Sequence, residues 1–271
     1  MTSNRDNPLG HQTPYPKRYD PDLLFAIPRQ PARVSLKLEE LPAFAGADVW
    51  NAYEVSWLLP NGCPQVATAR IVLDAHTRCL VESKSLKLYL NSLNNSKFNC
   101  SRSVQDVIEN DLRRVVQGEL TVSINESASN CAQAGSQGQC LDDLAPEADT
   151  YQVDSALLQP GQSNQVEEIW HTNLFRSLCP ITGQPDWATV TVAYQGQAIE
   201  PSSLLRYLIS FREHGGYHEQ CVEQIFADLH RRFSLQSLCV DARFLRRGGL
   251  DINPVRSQGR PIADYTPAWR Q

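Results

Sequence analysis

Cys179 stands in Leu178-Cys179-Pro180-Ile181-Thr182-Gly183-Gln184-Pro185-Asp186-Trp187, a turn-rich stretch that leads into a predicted strand over 187–194. Loops on rigid scaffolds are where reactive groups tend to be placed. A thiol attacks only as thiolate, so it needs a lowered pKa or a nearby base. Asp186 and His218 are the groups that can supply a proton route. The spacing C-x6-D is not specific by itself, and inert burial of a lone cysteine stays open beside the nucleophile reading. His218-Glu219 follows Gly215-Gly216-Tyr217 and so falls at a loop-to-helix junction. Glu219 there can simply complement the helix dipole. Alternatively its carboxylate can accept two parallel hydrogen bonds from the N–H pair of a guanine-type ring edge.

A second group of residues lies in Val81-Glu82-Ser83-Lys84-Ser85-Leu86-Lys87-Leu88-Tyr89. Its lysines can meet phosphate as point charges, or can be solvated. In Arg246-Arg247-Gly248-Gly249 the glycine pair lets backbone N–H groups approach phosphate, and the adjacent guanidinium can bind it through two parallel hydrogen bonds.

These groups sit in a chain that contains itself twice. Val81-Glu82-x-x-Ser85-Leu86-x-x-Tyr89-Leu90 recurs as Ile199-Glu200-x-x-Ser203-Leu204-x-x-Tyr207-Leu208. Pro64-x-x-Ala67-Thr68 matches Pro185-x-x-Ala188-Thr189, and Ile108-x-x-Asp111-Leu112 matches Ile225-x-x-Asp228-Leu229. A repeat of about 120 residues is a duplicated domain, each copy large enough to bury its own core, not a solenoid. Only the second copy carries Cys179 and His218-Glu219, so one half is expected to do the chemistry while the other completes the site.

The elements that position these residues read as follows. Residues 1–46, rich in proline, form an extended arm with little regular structure. A first module spans 47–126, with strands over 51–59 and 66–73, and a helix whose apolar face is Val104, Val107, Ile108, Leu112 and Val115. Ser103 is available as its N-cap and Gly118 stands just past its end. A strand follows over 120–124. Residues 127–166, rich in Gln, Ser, Ala, Asp and Gly, form a connector wrapped over the surface. The second module, 167–271, repeats the helix through Val222, Ile225, Phe226, Leu229 and Phe233, with a strand over 237–244. The fold class is α+β: antiparallel sheets with helices on one face.

Composition narrows the function. Of 271 residues 41% are hydrophobic and 20% charged, and no apolar run approaches a membrane span. The polar opening has no apolar stretch like a secretory signal, so a cytoplasmic chain is expected. Eight cysteines without CxxC or short even spacing argue against a disulfide framework. A net charge of −5 and the lack of a basic stripe argue against direct nucleic-acid binding. Arg113-Arg114 and Arg231-Arg232 fall late in helices, where cations complement the dipole. No GxGxxG, GxxxxGK[ST] or HExxH occurs, and no paired Cys/His spacing marks a metal site.

Together these segments resemble one family, the NADPH-dependent 7-cyano-7-deazaguanine reductases of queuosine biosynthesis, in their long two-module form. The motifs are Glu82-Ser83-Lys84-Ser85-Leu86-Lys87-Leu88-Tyr89-Leu90-Asn91-Ser92, the Cys179–Asp186 segment, His214-Gly215-Gly216-Tyr217-His218-Glu219, and Arg246-Arg247-Gly248-Gly249-Leu250-Asp251-Ile252-Asn253-Pro254. Tyr19-Asp20-Pro21 and Ile27-Pro28-Arg29 also look like the family's N-terminus. The resemblance covers nearly the whole chain, least distinctively near 127–165.

It implies tandem tunnelling-fold (T-fold) modules in a homodimer. It also implies that Cys179 adds to the nitrile carbon to give a covalent thioimide while Asp186 supplies a proton to the nitrogen. His218 and Glu219 then hold the deazapurine substrate, with Val81, Glu82 and Ser83 contributing from the first module. Ser83, Lys84, Arg247 and Gly248 contact NADPH, and no metal is required. Two other readings compete. One is a pterin- or purine-handling hydrolase of the same fold, for which recognisable metal ligands are lacking. The other is a non-enzymatic purine-binding module, which would not need Cys179.

Overall fold

The structure, a computed structural model, describes residues 15–126, 138–144, 146–163, 165–263 and 265–271. Part of the connector, with Cys131, and the first residues of the arm lie outside the described residues. In chain order the elements are β1 (Ala26–Pro28), α1 (Gln30–Ser35), β2 (Ala45–Leu58), β3 (Pro64–Asp74), β4 (Cys79–Val81), α2 (Ser83–Ser92), α3 (Ser101–Val116), β5 (Leu120–Asn125), β6 (Gln139–Cys140), β7 (Val166–Leu178), β8 (Pro185–Gly196), α4 (Pro201–Ile209), α5 (His218–Arg232), β9 (Leu235–Phe244) and β10 (Leu250–Gln258). They form two compact units, each assembled from discontinuous segments. The first comprises the described residues of Met1–Pro31, Val49–Asn130 and Arg246–Asp251; the second, those of Ala32–Asp48, Cys131–Leu245 and Ile252–Gln271. The class is α+β: β1 with β4, β3 with β5, and β7, β8, β9 and β10 in succession pair antiparallel, while β6 meets β7 in parallel.

In the first unit β3 alternates: Ala67, Ala69, Ile71 and Leu73 are buried while the residues between them are more exposed, as a period of two requires. It pairs with β5 in the register Ile71↔Val122 and Leu73↔Leu120. Helix α3 buries Val104, Ile108, Leu112 and Val116, one residue per turn and a little over, leaving Val107 and Val115 at the margin. Its caps differ from those expected. The N-cap is Cys100, not Ser103, with Cys100 Sγ 3.5 Å from Ser103 Oγ. The left-handed C-cap is Gln117, at φ 52°, not Gly118. Gly118 is needed for another reason: a Cβ there would lie 2.8 Å from Thr77 Cγ2.

The duplication is structural down to single hydrogen bonds. Glu82 caps α2 by accepting from Lys84 N at 2.8 Å and Ser85 N at 2.7 Å. Glu200 caps α4 the same way, from Ser202 N at 3.0 Å and Ser203 N at 2.6 Å. Tyr89 donates to Asp111 at 2.8 Å and Tyr207 to Asp228 at 2.7 Å, each tying the first helix of its copy to the second.

The correspondence reaches into the arm and the connector. Glu82 N donates to Phe25 O at 2.8 Å and Phe25 N to Ser85 Oγ at 3.0 Å; Glu200 N donates to Gln159 O at 3.0 Å and Gln159 N to Ser203 Oγ at 3.0 Å. A short 3-10 turn capped by an aspartate, Asp20 or Asp154, precedes each of these contacts. The arm is therefore more regular than expected, with β1 paired to β4 and α1 following it. The connector also supplies core: Leu141 and Leu158 are fully buried.

In the second unit the strands run in the order β10-β9-β8-β7-β6. Their helix-facing residues, among them Phe175, Val190, Val192, Val240 and Phe244, pack on Leu204, Tyr207, Phe211, Val222, Ile225 and Leu229 of the helical layer. Each such side chain contributes about 1.5–3 kcal/mol by leaving water. Beneath α5 lies an ionic knot. Fully buried Arg256 donates to Asp48 Oδ1 at 2.8 Å and to Glu223 Oε1 at 2.9 Å, and Arg33 donates to Glu223 at 2.6 Å. Buried charges persist only when paired in this manner.

Candidate active site

The end of β7 and the start of β8 pair as Ser177↔Asp186 and Leu178↔Pro185, so Cys179 opens the turn between them. That turn is closed by Cys179 N donating to Gln184 O at 2.9 Å and Gly183 N to Cys179 O at 3.0 Å, with Gly183 at φ 66°, where glycine is favoured. A distant segment clamps it: Leu178 N donates to His214 O at 2.8 Å, and Gly216 N to Leu178 O at 3.1 Å. Two residues later α5 begins at His218, with Gln220 Oε1 accepting from Tyr217 N at 3.3 Å. The fold thus joins the two segments that sequence alone marked separately.

At this junction His218 Nε2 lies 3.4 Å from Asp186 Oδ2. Asp186, Glu219 and Cys179 are all buried, at 5%, 3% and 8% exposure, so polar contacts here act with little screening by water. The face of the His218 ring stacks on Phe244, centroids 3.9 Å apart and planes 28° apart. Behind them Cys221 is fully buried. Its thiol is pushed up to about 12, first by burial and then by the nearby charges of Asp186 and Glu219, against a hydrogen bond with Ser177 that lowers it. Cys221 is therefore a neutral thiol at physiological pH, and it reports that both carboxylates bear on one point. Burial also lowers the pKa of His214, whose ring stands edge-on to Phe211. The arrangement places a thiol on a tight turn and an imidazole–carboxylate pair in the same unit.

The first unit holds the other expected residues. Val81 closes β4 and is buried; Glu82 follows, its carboxylate engaged by α2, whose first two residues are Ser83 and Lys84. In the same unit Arg247 N donates to Leu250 O at 2.8 Å, closing a tight turn over Gly248 and Gly249 at φ 54° and 76°. The side chain against Gly248 is that of Lys87: a Cβ on Gly248 would lie 2.9 Å from Lys87 Nζ. The Arg246 guanidinium lies 3.8 Å from the centroid of the Tyr53 ring, and the Tyr53 hydroxyl donates to Asp251 at 2.6 Å. Sequence reasoning named Lys84 and Arg247 for the cofactor and left Lys87 undecided. Its spacing of three from Lys84 on one helix was the available signal. Phe244 was missed, because as a strand residue of apolar pattern it carries no mark of its contact with His218.

Among the described residues no grouping of three or more His, Cys, Asp or Glu is placed to hold a metal ion. No described helix is long and apolar enough to cross a membrane.

Fold and site together define an internally duplicated α+β chain with a cysteine, an imidazole and two carboxylates in one copy. Comparison with known proteins sharpens this. Residues 15–124 match the family described as nitrile reductase, 7-cyano-7-deazaguanine-reductase N-term, and residues 185–262 match the QueF-like protein family. The chain is 46% identical over 258 residues to the NADPH-dependent 7-cyano-7-deazaguanine reductase of Desulfotalea psychrophila, covering 94% of this chain and 93% of the relative. It is 46% identical to that of an Azoarcus species, covering 94% and 91%. With that of Bordetella pertussis it shares 44% identity over 265 residues, covering 96% and 97%. Among solved structures, the apo form of an archaeosine synthase QueF-Like aligns with 38% of this chain and all of its own, at 17% identity and a TM-score of 0.32. The chain belongs to the NADPH-dependent 7-cyano-7-deazaguanine reductase family.

Proposed function

We propose that this chain reduces the nitrile of 7-cyano-7-deazaguanine to the aminomethyl group with NADPH, through a covalent thioimide on Cys179. The observation that carries this reading is the placement of Cys179 on a turn clamped to the segment that bears His218 and Glu219, with Asp186 within 3.4 Å of His218. A nitrile carbon resists direct reduction, and addition of sulfur turns it into a C=N acceptor. In that step the S–C bond forms, one C–N π bond breaks, and the nitrogen takes a proton from Asp186. The thiol proton passes to the Asp186–His218 pair and replaces the one given up, so the step is proton-neutral. Burial of these groups keeps water from the C=N carbon. Glu219 accepts from the N–H edge of the deazapurine and His218 packs beside it, with Val81, Glu82 and Ser83 of the first unit also binding substrate.

The Arg247–Gly248 turn, with its positive-φ glycines and Lys87 alongside, fits a phosphate-bearing cofactor. Ser83, Lys84, Arg247 and Gly248 hold NADPH there, which when bound supplies the hydrides. The same reading makes each copy a tunnelling-fold module, the chain a cytoplasmic homodimer, and the product a precursor for queuosine in tRNA.

The test is NADPH absorbance with and without 7-cyano-7-deazaguanine. Substrate-dependent oxidation is expected. Its absence would leave a purine-binding module as the better account.

A further inference from the structure

Phe244 ends β9 and is 1% exposed. Its ring is held edge-on by Phe175, centroids 6.1 Å apart at 86°, and presents its face to His218. The backbone around it is unusually well tethered for a strand end. The Gln271 side-chain amide donates to Phe244 O at 2.7 Å and to Asn253 Oδ1 at 2.7 Å. Leu245 N donates to Trp187 O at 2.9 Å, and Phe244 is in register with Ala188. The short stretch of β8 that carries Asp186 therefore also fixes Phe244. His218 is gripped from both, its edge by Asp186 and its face by Phe244. A contact of 3.4 Å at one ring nitrogen sets a distance but leaves the imidazole free to turn about its terminal torsion, which is broad for histidine. A stacked aromatic face removes that freedom.

We infer that Phe244 is a positioning residue for the reaction, fixing the plane of His218 so that Nε2 stays directed at Asp186. The inference rests on the roles of His218 and Asp186 proposed above. A mutant cycle on the full chain tests it, reading the rate of adduct formation at Cys179 by mass spectrometry with the nitrile alone. Phe244→Leu, close in volume but without a ring face, should slow that rate roughly tenfold, since small misplacements of a catalytic group cost about that or more. Phe244→Tyr, which keeps the face, should recover most of it. In a His218→Ala background, Phe244→Leu should cost less than about twofold further. Should Phe244→Leu not fold, Gln271→Ala carries the same cycle, with a smaller loss that again vanishes without His218. Equal fold-losses in the two backgrounds, or no loss in either, would overturn the positioning role alone. A His218→Ala variant of full activity would instead overturn the assignment of His218 and leave the rest of the site to be reassigned.

Discussion

His218 Nε2 and Asp186 Oδ2 face each other at 3.4 Å although the two residues come from a strand start and a helix start far apart in sequence. Asp186 is buried, and the proposed thioimide step takes its proton from this carboxyl group. Asp186→Asn preserves shape but cannot supply a proton. Turnover should fall by about 10²–10⁴ while nitrile binding, measured by calorimetry, changes little. A matching loss of binding would make Asp186 a substrate contact and not the proton donor.

Incubation with the nitrile and no NADPH should add one substrate mass per chain, located at Cys179 by peptide mapping. Cys179→Ala should abolish both adduct and turnover. Among the described residues the other cysteines are free, so an adduct on one of them is chemically open and would overturn the assignment.

Glu219 is buried at the first turn of α5, and its carboxylate is proposed to read the deazapurine edge. Glu219→Gln keeps the volume and exchanges one acceptor for a donor. Nitrile affinity should weaken by about 2–5 kcal/mol, as for loss of a charged partner in a buried pair. Unchanged affinity would return Glu219 to the simpler role of complementing the helix dipole.

Glu82 and Glu200 perform the same capping in the two copies, which separates structural from substrate roles. Glu82→Ala and Glu200→Ala should each lower unfolding free energy by about 1 kcal/mol. Only Glu82→Ala should also raise KM for the nitrile. An equal effect of both on KM would reduce Glu82 to a cap.

What was legible in the sequence is what side-chain identity carries. The repeated Glu-x-x-Ser-Leu-x-x-Tyr pattern is visible because Glu, Ser and Tyr each make a side-chain bond that both copies need. The matching roles of Phe25 and Gln159 were not legible, since each contributes mainly its backbone, which leaves no residue preference. Leu141 and Leu158 lie in short apolar stretches of a mostly polar connector that reads as surface, yet they fill the core. The pairing of Arg256 with Glu223 left no mark in the sequence, because it is set by chain segments distant in sequence. The Cys179 turn could be seen, but its clamp to 214–216 is again backbone to backbone.

Stability should fall on both sides of neutrality. Burial lowers the pKa of His214 and His230 from the ordinary 6.5, so below that pH the unfolded chain binds protons the folded one refuses. Their contribution is present above pH 6.5 and lost as pH falls through the folded values. Cys221 behaves in the opposite sense: its thiol is raised from 9.0 to about 12, chiefly by burial, so its contribution is intact below pH 9 and lost as pH rises toward 12. Urea midpoints across pH should show both limbs. His230→Gln should flatten the acid limb and Cys221→Ala the alkaline one. Parallel curves for the variants and the parent would mean these groups do not carry the dependence.

The cofactor assignment rests on cations around a glycine turn, and charge predicts its selectivity. The 2′-phosphate of NADPH supplies charge that NADH lacks, and a guanidinium grips it through two hydrogen bonds. Arg247→Ala and Lys84→Ala should each raise KM for NADPH and narrow its advantage over NADH, with rising salt weakening the parent in the same direction. Lys87, which lies against Gly248, belongs in the same series. Adduct formation at Cys179 should proceed normally in all three, because it precedes any need for the cofactor. Unchanged NADPH kinetics across the series would move the cofactor elsewhere, whereas loss of the adduct itself would assign these residues to the substrate.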